Sequence, residues 1–265
     1  MSSSSITSQL PTPLHTFQVD ALSVQVYQSE TKMAMAAAQL VQSYLQDVLS
    51  RQGRAAITLA TGNSQIKFLE ALFALEGVDW SRINFFHLDE YLGIDAAHTA
   101  SFRRYLRTQV ERRVNPAAFH YIEGDAMQPL AECDRYTQLL RAQPIDLCFL
   151  GVGENGHLAF NEPSVADFND DYGVKIVKLE LATRQQQVNG GHFPTLVDVP
   201  QYAFTLTIPM LCDSKKIICL ASEKRKAEVI FEMLRGAIGT TTPASVLRTK
   251  AQAMLFLDRD AASLL

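Results

Sequence analysis

The chain has little of what would mark a disulfide-stapled, metal-bearing, nucleic-acid-binding or membrane-spanning protein. Its four cysteines, Cys133, Cys148, Cys212 and Cys219, stand far apart in 265 residues, and neither a CxxC pair nor a paired-histidine spacing suggests a metal. Cys148 and Cys219 fall inside apolar runs, which predicts buried free thiols. No apolar stretch approaches the ~18 residues of a membrane span. Positive charge is not in excess: 24 Lys and Arg stand against 28 Asp and Glu, a net charge of -4. That balance argues against a broad basic surface for nucleic acid and leaves only local basic patches open. Met1 to Pro13 has neither a basic start nor an apolar h-region, so residues 1–15 read as a disordered leader rather than a signal peptide. A soluble cytoplasmic protein is expected. After residue 13 no internal repeat, low-complexity tract or proline-rich linker appears, which leaves residues 16–265 as one domain.

What is present is an ordinary globular balance, 47% hydrophobic and 20% charged, enough for a sizeable core. Leu22 to Tyr27 alternates like a strand, and Glu30 to Leu49 is a long amphipathic helix. Short apolar runs at Ala55–Ala60, Ile83–Leu88, Asp146–Leu150, Val174–Leu179, Ala203–Ile208, Ile217–Ala221 and Met254–Leu257 read as strands. Helices are expected at Gln65–Leu75, Ser101–Arg113, Gln128–Arg141 and Lys224–Leu234, with a short one at Ala244–Leu247. Strands alternating with helices imply βαβ units: a single-domain, Rossmann-like α/β fold whose mostly parallel sheet is flanked by helices. Thr61-Gly62-Asn63-Ser64, Asp89-Glu90 and Gly151 to Glu162 each begin where an apolar strand ends. In open α/β sheets ligands bind outside the carboxyl ends of the strands, so these three motifs should meet at one edge.

Each motif has a chemical and a structural reading. Gly151-Val152-Gly153-Glu154-Asn155-Gly156-His157 ends a buried strand in glycines, which permit sharp turns and close backbone approach. His157 titrates near neutrality, and Glu162, five positions on, could orient it; the plain alternative is a glycine-rich turn with an exposed histidine. Thr61 to Ser64 offers backbone N–H groups and two hydroxyls at a helix start, the ingredients of a phosphate cradle, or an ordinary N-cap. It lacks both the P-loop and the GxGxxG pattern, which disfavours ATP and NAD. Of Asp89 and Glu90, one can face a cleft as a general base while the other turns into the structure. Lys224-Arg225-Lys226 follows another strand and could clamp an anion, though a solvated basic run is the usual reading. Arg184 and His192 are further candidates, and His87 could be a cleft neighbour of Asp89. His15, His98 and His120 are read as surface or structural histidines. Val165 to Tyr172, acidic and irregular, is the expected place for a mobile lid.

Together these residues resemble the glucosamine-6-phosphate deaminase family, within the larger group that includes the 6-phosphogluconolactonases. The resemblance runs from about residue 20 to the end. It rests on Leu59-Ala60-Thr61-Gly62, on Phe86-His87-Leu88-Asp89-Glu90-Tyr91 and on Gly151 to His157 with Leu158-Ala159-Phe160-Asn161-Glu162-Pro163. Val199-Pro200, Tyr202-Ala203 and Pro243-Ala244-Ser245 also match. The lactonases share Gly-His but lack the Phe-Asn-Glu-Pro ending, which favours the deaminase branch.

The resemblance implies conversion of glucosamine 6-phosphate to fructose 6-phosphate and ammonia by an isomerising hydrolase that needs no metal or organic cofactor. The partner is a small sugar phosphate, with no nucleic acid, no membrane and no commitment on oligomeric state. It implies that Asp89 moves the proton from C2 to C1, that His157 assists ring opening, and that Glu162 positions His157 and tunes its charge. Asn155 belongs to the same catalytic group. Thr61, Gly62, Asn63 and Ser64 would hold the phosphate with Lys226.

The sequence also departs from the family pattern. Asn63-Ser64-Gln65 stands where Gly-Thr-Pro is usual, and Asn155 where some members have Asp. Gln185 to Phe193 lacks the phosphate-binding arginine, His192 being its nearest counterpart. Losing a guanidinium would weaken the grip on phosphate or admit another sugar phosphate. Two other readings stay open: a lactonase in which His157 activates water, and a non-catalytic sugar-phosphate sensor.

Overall fold

The computed structural model describes residues 11–265; the first ten residues of the expected leader lie outside them. His15–Val19 forms β1, so the last position of that leader already pairs in a sheet. Leu22–Tyr27 (β2) runs antiparallel to it. Glu30–Gln52 (α1) follows. Ser29 caps its start by accepting from the Lys32 N–H, and Gly53 at φ 78° ends it in the left-handed region. Its apolar stripe, Met33, Ala37, Val41, Leu45 and Val48, recurs at helical spacing and is buried.

Ala55–Leu59 (β3) leads through a tight turn into Ile66–Ala74 (α2), and Ile83–His87 (β4) into Asp89–Tyr91 (β5). Phe102–Leu106 (α3) and Arg112–Val114 (α4) are two pieces of the single helix expected at Ser101–Arg113, split by a π-turn at Arg107–Glu111. There the Thr108 hydroxyl donates to the Arg104 and Tyr105 carbonyls and competes with the regular ladder. Ala118–Phe119 (β6), Pro129–Arg141 (α5), Leu147–Gly151 (β7), Val174–Lys178 (β8) and Leu181–Asn189 (α6) come next. Tyr202–Leu206 (β9), Ile208–Cys212 (α7), Ile217–Ala221 (β10), Ala227–Arg235 (α8) and Ala253–Asp258 (β11) complete the chain. The strand expected to run to Ile208 stops at Leu206 because the Thr207 side chain caps α7, accepting from the Met210 N–H.

Eight strands form one sheet in the order β1-β2-β11-β10-β7-β3-β4-β6, parallel throughout except for β1 with β2. Helices cover both faces. The fully buried runs Ala55–Leu59 and Ile217–Ala221 are what a doubly covered parallel strand requires. A second sheet, β5-β9-β8, is antiparallel, and the βαβ pattern gave no sign of it. The two sheets join at Leu88. Its N–H donates to the Leu59 carbonyl in the first sheet, and its own carbonyl accepts from Leu206 in the second. Asp89 is the first residue past that joint. All four cysteines are buried and free, and among the described residues no helix is long and apolar enough to cross a membrane.

Candidate active site

Four neighbouring strands, β10, β7, β3 and β4, end on one side of the sheet, and the segments that follow them enclose a cavity of about 380 Å³. Thr61 to Ser64, Asp89, His157 and Lys226 all line it. So do Gln186, Gln187 and His192, on and just beyond α6.

Thr61-Gly62-Asn63-Ser64 leaves β3 and opens a short 3-10 turn, Asn63–Gln65, that runs into α2. The first N–H groups of a helical segment have no carbonyl partner within it, so this loop presents donors to the cavity. Gln65, fully buried, reaches across from its Nε2 to the Leu150 carbonyl at 3.1 Å and to the Ser64 Oγ at 3.1 Å. That side chain ties the loop after β3 to the end of β7.

Asp89 is 8% exposed. Burial, and secondarily the Glu90 carboxylate beside it, push its carboxyl up to about 8. The two neighbours do turn opposite ways. Glu90 is fully buried, and its oxygens accept from the Tyr91, Phe102 and Arg103 N–H groups and the Ser101 hydroxyl, which fixes the start of α3. His87 does not reach the cleft. It lies beneath Asp89, its Nδ1 2.8 Å from the Asp89 carbonyl and its Nε2 accepting from the Ile122 N–H at 2.8 Å. An imidazole held by an acceptor on one side and a donor on the other stays neutral, and burial holds it down at about 3. His87 therefore braces the corner from which Asp89 projects.

His157 lies flat against Gly153: a Cβ on that glycine would stand 2.2 Å from the ring's Cε1 and Nε2. Asn155 sets the ring's tautomer. Its Oδ1 accepts from the His157 backbone N–H at 3.3 Å, which identifies that atom as oxygen, and it meets Nδ1 at 2.7 Å. Nδ1 then carries the hydrogen and Nε2 the lone pair. Burial, with the Lys226 charge second, holds the ring down at about 4, so it is neutral at pH 7.

No hydrogen bond joins Glu162 to His157 directly; the two are linked through Asn155, whose side chain holds the ring and favours the Glu162 carboxylate. Ala159, a non-glycine residue at φ 52°, lies in a tight turn closed by the Leu158–Asn161 bridge. Past that turn, the Glu162 carboxylate accepts from the Glu180 N–H at 2.7 Å and from the Thr183 hydroxyl. Glu162 thus holds the start of α6 and stands behind Asn155, which contacts His157 directly.

Lys226 follows β10. Burial, and then Arg225, pull its ammonium down to about 8. Arg225 is held by Glu154 and Glu223. Arg184 turns away from the cavity to the Leu196 and Val199 carbonyls. The lid expected at Val165–Tyr172 does not line the cavity; Lys175 fastens it through the Val165 carbonyl and Asp170. The segment that does cover the site is α6, which sequence reasoning missed because Arg184-Gln185-Gln186-Gln187 has no apolar stripe. His98 and His120 are structural, stacked on Phe193 and Phe86. Among the described residues no three His, Cys, Asp or Glu side chains are grouped to hold a metal.

Residues 28–256 match the family of glucosamine-6-phosphate isomerases and 6-phosphogluconolactonase. The chain belongs to that family. It is 36% identical over 220 residues to a glucosamine-6-phosphate deaminase of Exiguobacterium sibiricum, covering 83% of this chain and 85% of that one. To the deaminase of Alkaliphilus metalliredigens it is 33% identical over 240 residues, 88% and 96% of the two chains. The solved structure of a monomeric glucosamine-6-phosphate deaminase superposes with a TM-score of 0.84 at 31% identity, covering 91% of this chain and 99% of that one. A 6-phosphogluconolactonase from Shewanella baltica matches with a TM-score of 0.73 at 18% identity over 91% and 98%, a likeness of fold alone. Within the family, the deaminases are the relatives that this sequence resembles over most of its length.

Proposed function

We propose that this protein converts glucosamine 6-phosphate to fructose 6-phosphate and ammonia. The observation that carries the reading is one cavity holding a carboxylate, Asp89, and a neutral imidazole, His157, whose Nε2 lone pair is free. An aldose-to-ketose shift needs one group that moves a proton between neighbouring carbons and another that opens the ring.

His157 Nε2 takes the proton from the C1 hydroxyl and passes it to the ring oxygen, and the sugar opens to an aldehyde. Asp89 takes the proton from C2 while the aldehyde oxygen takes one from the substrate's ammonium, leaving an enolamine, and Asp89 returns its proton to C1. The resulting iminium at C2 adds water and expels ammonia, leaving the ketose. Water is consumed only in that last step, which is the sense in which the reaction is hydrolytic; the carbon chemistry is an isomerisation. The Thr61–Ser64 loop and Lys226 hold the phosphate, whose charge favours the Lys226 ammonium that burial disfavours. A phosphorylated sugar stays in the compartment that makes it, and four free cysteines suit a reducing one; both support a cytoplasmic reading.

The test is ammonia release from glucosamine 6-phosphate with fructose 6-phosphate followed in parallel. Equimolar appearance of both is expected. Release of acid from 6-phosphogluconolactone without ammonia from the amino sugar would replace this reading with the lactonase, and binding without turnover with the sensor.

A further inference from the structure

Among the described residues, Arg225 is the one arginine that lines the cavity. Arg184 gives its guanidinium to two carbonyls, and Arg103 lies buried beside Glu90, Asp125 and the Ile94 carbonyl. The Arg225 guanidinium is divided between two carboxylates. Its Nε edge faces Glu223, at 2.8 Å from Nε and 3.3 Å from Nη2, while Nη1 donates to Glu154 at 2.8 Å. The other Glu154 oxygen accepts from Gln186 Nε2 at 2.6 Å. One side chain therefore links the turn after β10 to α6.

We propose that Arg225 is a reserve phosphate ligand, with Glu154 holding its Nη1 until the phosphoryl group of a bound sugar displaces it. This rests on the phosphorylated-substrate reading above. The Arg225 and Glu154 side chains are 47% and 36% exposed, and an exposed ion pair contributes little net stability. Exchange is therefore cheap. A phosphoryl dianion offers several acceptor oxygens and more charge than one carboxylate, and a guanidinium suits such an acceptor. The Nε edge keeps its bond to Glu223 throughout, so the group stays oriented while Nη1 changes partner. Arg225 and Lys226 also stand side by side, and the Arg225 charge disfavours the Lys226 ammonium until an anion arrives. Glu154 acts as a competitor that an uncharged sugar cannot displace, which makes the site selective for phosphorylated ligands. Once displaced, Glu154 keeps only its bond to Gln186, so occupancy of the phosphate position is felt at α6.

Titration calorimetry with inorganic phosphate tests this on the wild type, Arg225→Gln, Glu154→Gln and the double variant. Arg225→Gln should weaken binding ~10-fold, a difference of about 1.4 kcal/mol. Glu154→Gln should tighten it several-fold, a gain that misfolding cannot produce. In the Arg225→Gln background that gain should vanish, because Glu154 acts through Arg225. A gain that persists there would mean that Glu154 merely repels the anion through space, and the proposal fails. It fails equally if Arg225→Gln binds phosphate normally, if Glu154→Gln does not tighten binding, or if the wild type binds no phosphate. Failure of the deaminase reading would show separately, as phosphate binding by wild-type protein that releases no ammonia.

Discussion

Gly153 has no side chain because His157 lies on it. A methyl group there would stand 2.2 Å from the ring, so Gly153→Ala must tilt the imidazole off its position. A misplacement of that size near the chemistry is expected to lower kcat/KM ~100-fold while the melting temperature changes little; unchanged kinetics would show that the ring's position is not critical. Asn155 is the second control. Asn155→Leu removes the oxygen that holds Nδ1–H and frees the tautomer, with an expected loss of ~10- to 100-fold, the range typical of residues that orient a reactive group. Asn155→Asp keeps the geometry and adds a negative charge, so the His157 titration should move up from about 4. An unmoved histidine resonance in a nuclear magnetic resonance titration would contradict this role. Asp89 and His157 were legible in the sequence because each follows a strand end that had to open on the ligand edge. The partner of His157 was not, since spacing along the chain carries no direction. Past the left-handed turn at Ala159, Glu162 binds the start of α6 and reaches His157 only through Asn155.

At the scale of elements, the parallel sheet and its crossover helices were readable because doubly covered strands are continuous apolar runs. The antiparallel sheet was not, because β4 passes into β5 through Leu88 with no turn residue to mark the change. Helix α6 escaped notice for want of an apolar stripe, and it buries only Thr183. Such a helix depends on its anchors. Glu162 receives the Glu180 N–H and the Thr183 hydroxyl at the helix start, a charge-assisted cap next to a positive helix end. Glu162→Ala is expected to cost α6 about 1–3 kcal/mol of local stability. Hydrogen exchange should then speed up across residues 181–189 and leave β3, β7 and β10 unaltered. Uniform exchange through the whole protein, or none, would contradict an anchoring role.

Across the whole molecule, the cavity's buried ionisable groups couple folding and activity to pH. The Asp89 carboxyl is raised from 3.8 to about 8, so between those values the folded protein binds a proton that the unfolded chain does not. Stability from this group is fully present below about 4 and is lost as pH rises toward 8. The histidines act in the opposite sense. His157 and His87 are lowered from 6.5 to about 4 and about 3, so the fold loses stability as pH falls below 6.5. Asp89→Asn should remove the alkaline slope and raise the melting temperature at pH 8 by roughly 5 °C. An unchanged slope in a pH series of thermal melts would assign it to another group.

Catalysis needs the ionised form that burial disfavours, so activity should rise with pH through about 8 until substrate binding shifts the balance. The most direct measurement is ammonia release from glucosamine 6-phosphate by wild-type protein and Asp89→Asn side by side, with binding of the sugar phosphate measured on both. Asp89 as the proton carrier predicts steady release by the wild type and at least a ~1,000-fold slower rate for the variant, with the sugar phosphate still bound. Near-normal turnover by Asp89→Asn would contradict it.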